Sequence, residues 1–208
     1  METLTKTTGI ILSGGSSRRM GQDKGRILLY GRPLIAHVCR TLESVCSQIM
    51  IVAQTHQDFS FLGHPVVHDN IPGYGSLMGL YTGLRWAETD RILVLACDMP
   101  FVRPQVLRLL TTVAPQADVV VPRINGYLEP LLAVYSKACL KPIETMIKRS
   151  EKCVYDFFPD VRVREVHQKE IEVLDPGLHS FVNINTPQDL ETVTGSNDFF
   201  RSEFAGNG

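Results

Sequence analysis

The run Ile92-Leu93-Val94-Leu95-Ala96 constrains the fold most. Five consecutive apolar residues with no polar face suit a strand covered on both sides, as in a parallel sheet flanked by helices. It is the best candidate for the central strand. A strand is expected over residues 8–12, and then a helix opened by Pro33 that carries Leu34, Ile35, Val38, Leu42, Val45 and Ile49 at helical spacing. Strands over 49–53 and 65–68 follow, then a helix over 77–87 and another over 104–113. Strands over 117–121 and 131–135 and a helix over 136–148 complete the pattern. Strand and helix alternate, which predicts an α/β three-layer fold with right-handed crossovers. Ligands of such sheets sit at the carboxyl ends of the strands.

With 208 residues, 44% of them hydrophobic, the chain can fill one core and is short for two. The expectation is a single domain over 1–194 and a polar tail over 195–208, in which Phe199, Phe200 and Phe204 could dock on a surface. A formal net charge of -1 gives no global field for nucleic acid, so a phosphate ligand must meet a local group of cations. The first residues lack the apolar core of a signal peptide, and no stretch reaches the ~18 apolar residues of a membrane span, so a cytoplasmic protein is expected. The five cysteines (Cys39, Cys46, Cys97, Cys139, Cys153) form no CxxC and read as reduced core thiols rather than a zinc site or a disulfide framework. His64 and His68, four residues apart in a strand, would stand ~13 Å apart, too far to share a metal.

After the first strand comes Leu12-Ser13-Gly14-Gly15-Ser16-Ser17-Arg18-Arg19-Met20-Gly21-Gln22-Asp23-Lys24-Gly25. A Walker loop needs lysine directly after its last glycine, whereas Lys24 follows Gly21 by three. A dinucleotide fingerprint needs G-x-G-x-x-G, whereas Gly14 and Gly15 are adjacent. What remains is a long loop whose glycines admit a ligand to the backbone and whose cations match a polyanion. A solvated turn is the bland alternative, but Arg18, Arg19 and Lys24 repel one another within seven residues unless an anion compensates them.

Asp98 directly follows the central strand and Asp69 ends its own. Carboxylates at that edge face the ligand crevice, and Mg²⁺ is commonly held by one or two carboxylates plus phosphate oxygens. Two such aspartates beside a cationic loop suit a metal-bound nucleoside triphosphate. Helix N-capping is the competing role. It fits Asp98 poorly, because Met99, Pro100 and Phe101 delay the next helix to Pro104, and fits Asp69 better.

The segment LSGGSSRRMGQDK resembles the signature L-[AS]-G-G-x-[SA]-x-R-M-G-x-D-K of molybdenum-cofactor guanylyltransferases, nucleotidyltransferases with a GT-A-like, Rossmann-type sheet. ILLYGRPLIAHV, DNIPGYGSLMGLYTGL, ACDMPF and FVNINTPQDL resemble that family's later segments, in order, over residues 9 to 190. The resemblance implies a mostly parallel sheet with helices on both faces. It implies that Leu12, Ser13, Gly14 and Gly15 present backbone to GTP, that Arg19 and Lys24 lie along its phosphates, that Asp69 helps hold the nucleoside, and that Asp98 carries Mg²⁺. Gln54 aligns where relatives contact the base. Asn183 and Asn185 would line the acceptor side, where molybdopterin binds, and Glu129 is a further candidate there by position. The adjacent glycines resemble guanine-using members, whereas cytosine-using relatives tend to read A-A-G. Ser76 stands where many relatives have proline, and Arg18 has no place in the pattern.

The implied reaction is attack by the terminal phosphate of molybdopterin on the α-phosphorus of GTP, with loss of pyrophosphate. Arg19, Lys24 and Asp98 would be catalytic, and molybdenum-insertion proteins and apo-molybdoenzymes would be partners. The alternatives are a related nucleotidyltransferase using CTP or a sugar phosphate, and a non-catalytic carrier of the molybdenum cofactor.

Overall fold

In a computed structural model, residues 5–14, 23–69 and 73–195 are described. Gly15, Arg18 and Arg19 lie outside them, as does the tail beyond Gly195. The elements run β1 (Thr5–Ser13), β2 (Leu28–Leu29), β3 (Arg32–Pro33), α1 (Leu34–Glu43), β4 (Cys46–Gln54), β5 (Val66–Asp69), α2 (Ser76–Trp86) and β6 (Arg91–Ala96). Then come α3 (Pro104–Thr112), β7 (Val119–Ile124), β8 (Tyr127–Leu128), β9 (Leu132–Ser136), α4 (Leu140–Lys148), β10 (Val163–His167), α5 (Gln168–Glu172) and α6 (Pro187–Gly195).

The main sheet has the order β10-β7-β9-β6-β1-β4-β5, so β6, the apolar run, does lie at its centre. Alternate residues of each strand face opposite layers. Ile11, Ile51, Leu93 and Leu95 pack in one layer with Val38 and Leu42 of α1 and Leu107 of α3. Ile10, Leu12, Ile92 and Val94 pack in the other with Leu80 of α2 and Ile143 of α4. Gly79 of α2 permits this approach, because a Cβ there would stand 3.2 Å from Leu12 Cδ2. No helix among the described residues is long and apolar enough to cross a membrane.

β1 pairs in parallel with β4 and β6, and β4 with β5. Their registers set Ser13 beside Ala53, Gln54 beside Asp69 and Leu12 beside Ala96. The carboxyl ends of four strands therefore open on one edge. The strict alternation of strand and helix fails beyond α3. Asn125 and Gly126 take φ of 50° and 85°, which turns β7 straight into β8, and β9 then runs antiparallel between β7 and β6. Asn-Gly is the composition of the type I′ hairpin turn, which needs positive φ at both positions.

Two helices are shorter than the pattern predicts. Pro33 caps α1 from β3, at the end of a hairpin whose turn, Tyr30-Gly31, also has positive φ at both residues. At the other end the Ser44 amide and hydroxyl both donate to the Thr41 carbonyl and close the last turn, so Val45 and Ile49 reach the core from a turn and a strand. The expected helix over 136–148 begins as a 3₁₀ turn over Lys137–Cys139, with the Ser136 hydroxyl accepting from the Ala138 amide, and becomes α-helical at Leu140.

Candidate active site

Lys24 sits in a 3₁₀ turn, Lys24–Arg26, capped by Asp23, whose carboxylate accepts from the Gly25 amide at 3.0 Å. Gly25 must be small, since a Cβ would stand 3.0 Å from the Phe59 ring and 3.3 Å from Ser13 Oγ. From this turn Lys24 Nζ donates to Asp98 Oδ2 at 3.2 Å and to Asn185 Oδ1 at 2.5 Å. Three chain segments thus meet at one ammonium group. The pair is not sealed off, with side-chain exposures of 25% for Lys24 and 17% for Asp98.

Backbone bonds hold the partners in place. The Cys97 amide donates to Leu12 O at 3.1 Å, and the Ile184 amide donates to Asp98 O at 2.9 Å. Asp98 is thereby fastened to the end of β1 on one side and to residues 183–185 on the other. Asp189 in turn accepts from the Asn185 and Thr186 amides at 2.8 Å each, while its own amide donates to Thr186 Oγ1. This is a reciprocal cap on α6, with proline at the first helical position. Beneath it, Ile184 and Val193 pack with Ile27, Leu29, Leu34 and Phe101, so the closing segment rests on the β2–β3 hairpin.

Two pockets share this centre. The first, about 120 Å³, is lined by Leu12, Ser13, Gly14, Asp23, Lys24, Asp69, Gln57 and Asp98, with Gly75 and Ser76 at the amino end of α2. A helix amino end suits an anion, because its first amides have no partner within the helix, although here the Leu77 amide turns back to Tyr74 O at 3.2 Å. The second, about 270 Å³, is lined by Asp98, Met99, Glu129, Pro130, Leu131, Asn183 and Asn185. Asp98 belongs to both. Glu129 arrives through the unforeseen hairpin, where its amide donates to Pro122 O while Leu131 O accepts from the Ala96 amide.

Leu12, Ser13, Gly14, Lys24, Asp69 and Asp98 therefore line the first pocket, and Glu129, Asn183 and Asn185 line the second. Gln54 is not in the lining. It ends β4, and the chain turns back so that the Gln57 amide donates to Gln54 O at 2.9 Å and Gln57 Oε1 accepts from the Gln54 amide at 3.0 Å; Gln57 is the residue in the wall. Gly15 and Arg19 lie outside the described residues, although Gly14 and Asp23, which flank that segment, both line the pocket. Gln57, Asp23 and Asp189 were not anticipated. For Asp189 a signal existed, because Thr186-Pro187-Gln188-Asp189 has helix-start spacing.

Burial pushes the Asp69 carboxyl above its usual range, partly offset by His68, and burial alone does the same to Glu129. Burial, reinforced by the negative Asp98, pushes the Cys97 thiol up to about 12, so at neutral pH it is an inert neutral group rather than a nucleophile. Ser13 Oγ is buried and makes no well-formed hydrogen bond among the described residues, although it lies near enough to the Cys97 thiol to offset part of that rise. Asp98 Oδ1 makes no hydrogen bond there either, since Lys24 engages only Oδ2. An orphaned hydroxyl and a half-engaged carboxylate beside a lysine are the donor set expected where a phosphate and a hard cation meet.

Similarity to known proteins extends over most of the chain. Residues 9–164 match a family model described as the MobA-like NTP transferase domain. A probable molybdenum cofactor guanylyltransferase of Pelotomaculum thermopropionicum is 40% identical over 188 residues, covering 90% of this chain and 91% of that protein. A molybdenum cofactor guanylyltransferase of Desulfosudis oleivorans is 38% identical, covering 88% and 92%. Among solved structures, molybdopterin-guanine dinucleotide biosynthesis protein A from Archaeoglobus fulgidus superposes with a TM-score of 0.77 at 29% identity, covering 89% of this chain and 95% of that one.

Proposed function

Because the chain belongs to the MobA-like NTP transferase family, we propose that it transfers GMP from GTP to the terminal phosphate of molybdopterin, giving molybdopterin guanine dinucleotide and pyrophosphate. The observation that carries this reading is that Lys24 and Asp98 stand where a pocket of strand ends and glycines meets a second pocket of Glu129, Asn183 and Asn185. A donor nucleotide and a phosphorylated acceptor laid in the two pockets would bring their reacting groups to that boundary.

The chemistry asks little covalent work of the protein. An acceptor phosphate, with a second pKa near ~6, is already ionised at neutral pH, so no general base is needed. Its oxygen forms a bond to the α-phosphorus while the α–β bridging bond breaks, and the electron pair leaves on pyrophosphate. Lys24, and Arg19 by the family pattern, would neutralise the charge that develops there. Leu12, Ser13, Gly14 and Gly15 would offer backbone to the nucleotide, Asp69 would orient the nucleoside, and Asn183, Asn185 and Glu129 would hold the acceptor. Asp98 would hold Mg²⁺ through its unengaged oxygen, and the ion when bound would screen the phosphates. Gln57, which lines the pocket where Gln54 does not, would be the amide to meet the base.

The test compares GTP, CTP and UTP with purified molybdopterin or a sugar phosphate, with and without Mg²⁺, by pyrophosphate release. Turnover with GTP and molybdopterin alone is expected. Preference for CTP, or for a sugar phosphate, would move the protein elsewhere within the fold, and no pyrophosphate with any pair would leave a carrier. Molybdenum-insertion proteins and apo-molybdoenzymes are the partners this activity would serve.

A further inference from the structure

Near the amino ends of β4 and β5, away from Asp98, three metal-ligating side chains converge. Cys39 and Glu43 stand one turn apart on α1 and so share a face. His64 comes from the connection between β4 and β5, just after Gly63, whose φ of 72° bends the chain towards α1. Glu43 Oε1 accepts from Cys39 Sγ at 3.8 Å and lies 2.9 Å from His64 Nε2. One sulfur, one nitrogen and one carboxylate oxygen lie within 4.8 Å of one another.

We propose that Cys39, Glu43 and His64 form a binding site for a thiophilic divalent transition-metal ion, Zn²⁺ above all, that staples the end of α1 to the β4–β5 connection. A tetrahedral zinc centre with bonds of about 2.3 Å to sulfur and about 2.0–2.2 Å to nitrogen and oxygen sets its ligand atoms roughly 3.3–3.7 Å apart. The separations of 2.9 and 3.8 Å straddle that range and the third lies within 4.8 Å, so the exposed Glu43 and the partly exposed His64 have to close in by side-chain rotation. The mixed sulfur, nitrogen and oxygen set suits zinc and disfavours Mg²⁺ and Ca²⁺, which want oxygen alone.

Without metal, two protons point at one carboxylate oxygen, and a cation would take their place. Binding through Cys39 Sγ and His64 Nε2 requires the thiol to give up its proton and the imidazole to carry its proton on Nδ1. Three protein ligands leave a fourth position for water. Glu43 and His64 line a cavity of about 470 Å³ beside the exposed Trp86, which has room for it. The sequence could not show this cluster: it pairs no histidines and no cysteines, and its ligands are 21 residues apart between Glu43 and His64. Cys39 is a reduced, buried thiol of the core, as expected, and only a bound cation would make it a ligand. The site is independent of nucleotidyl transfer.

Full-length protein stripped by a chelator and titrated with Co²⁺ should bind at this site with thiolate-to-cobalt charge-transfer absorption, which Zn²⁺ abolishes. Cys39→Ser should remove the absorption, His64→Gln should weaken Co²⁺ binding about tenfold or more, and Cys153→Ser, at a cysteine outside the cluster, should change neither. Zn²⁺ at a hundredfold over its Kd should raise the Tm of the wild type by roughly 5–10 °C and that of His64→Gln far less. No charge-transfer absorption at stoichiometric Co²⁺, or an unaltered band and affinity in His64→Gln, would overturn the site. Because His64 is only half-buried, that variant decides the matter even if Cys39→Ser fails to fold.

Discussion

The two pockets at Asp98 are made differently. The nucleotide side consists of strand ends and helix start, with Leu12, Ser13 and Gly14 leaving β1, Asp69 ending β5 and Gly75 and Ser76 opening α2. The acceptor side consists of side chains on a hairpin and on a segment that returns from near the end of the chain, with Glu129 from one and Asn183 and Asn185 from the other. A parallel sheet supplies the first almost automatically, because its edge gathers loops and amides in one place. The second exists only through long-range closure. On the proposed function, general phosphate recognition would be built into the architecture and acceptor recognition added to it.

The sharpest way to break that division is at the ion pair where the two sides meet. Asp98→Ala and Lys24→Ala should each lower kcat by ~10²–10³ with saturating GTP, acceptor and Mg²⁺, while circular dichroism stays native. Asp98→Asn should be nearly as damaging, since a neutral amide is a poorer Mg²⁺ ligand. Near wild-type turnover in either alanine variant would remove the shared centre. A smaller effect should separate the sides. Asp69→Ala should raise the KM for GTP by about 10- to 100-fold, the worth of a hydrogen bond to a charged group, and leave that for molybdopterin unchanged. Asn183→Ala should do the converse, and crossed effects in steady-state kinetics would merge the pockets into one.

Smaller again is Asp189→Ala, which removes the cap holding Asn185. It should lower stability by about 1 kcal/mol, or roughly 2–4 °C in Tm, and raise the KM for the acceptor a few-fold while sparing that for GTP. Smallest is a pH effect on the acceptor side. Burial raises the Glu129 carboxyl, so its contribution to stability is present at low pH, where it is protonated, and is lost as pH rises through the raised value. Glu129→Gln has no such loss. Thermal unfolding should show the variant gaining on the wild type as pH rises from about 4 to 7, and a gap that shrinks instead would mean that Glu129 finds a partner.

How much could be read beforehand follows the same division. β6 and β1 were legible because a buried parallel strand is apolar on both faces, and Asp69 and Asp98 followed because such a strand must end at the crevice. The acceptor side rested on resemblance and position, since nothing local to Glu129 or Asn183 says which strand edge they join. Asn125-Gly126 did carry a hairpin signal, but the regular alternation of strands and helices masked it. The expectation that Gln54 contacts the base rests only on its aligning where relatives contact it, and the turn that follows β4 brings Gln57, not Gln54, into the pocket wall. Pairings such as Cys39 with His64 depend on where a loop lands on a helix, which no short-range pattern records.

The bond from Lys24 to Asn185 spans 161 residues. During synthesis Lys24 emerges long before Asn185, and closing so long a loop is an entropic cost met only when α6 docks on the β2–β3 hairpin. A truncated or half-made copy therefore lacks a complete second pocket whatever the state of its first. The second pocket is complete only once the segment carrying Asn183, Asn185 and α6 has been made and docked.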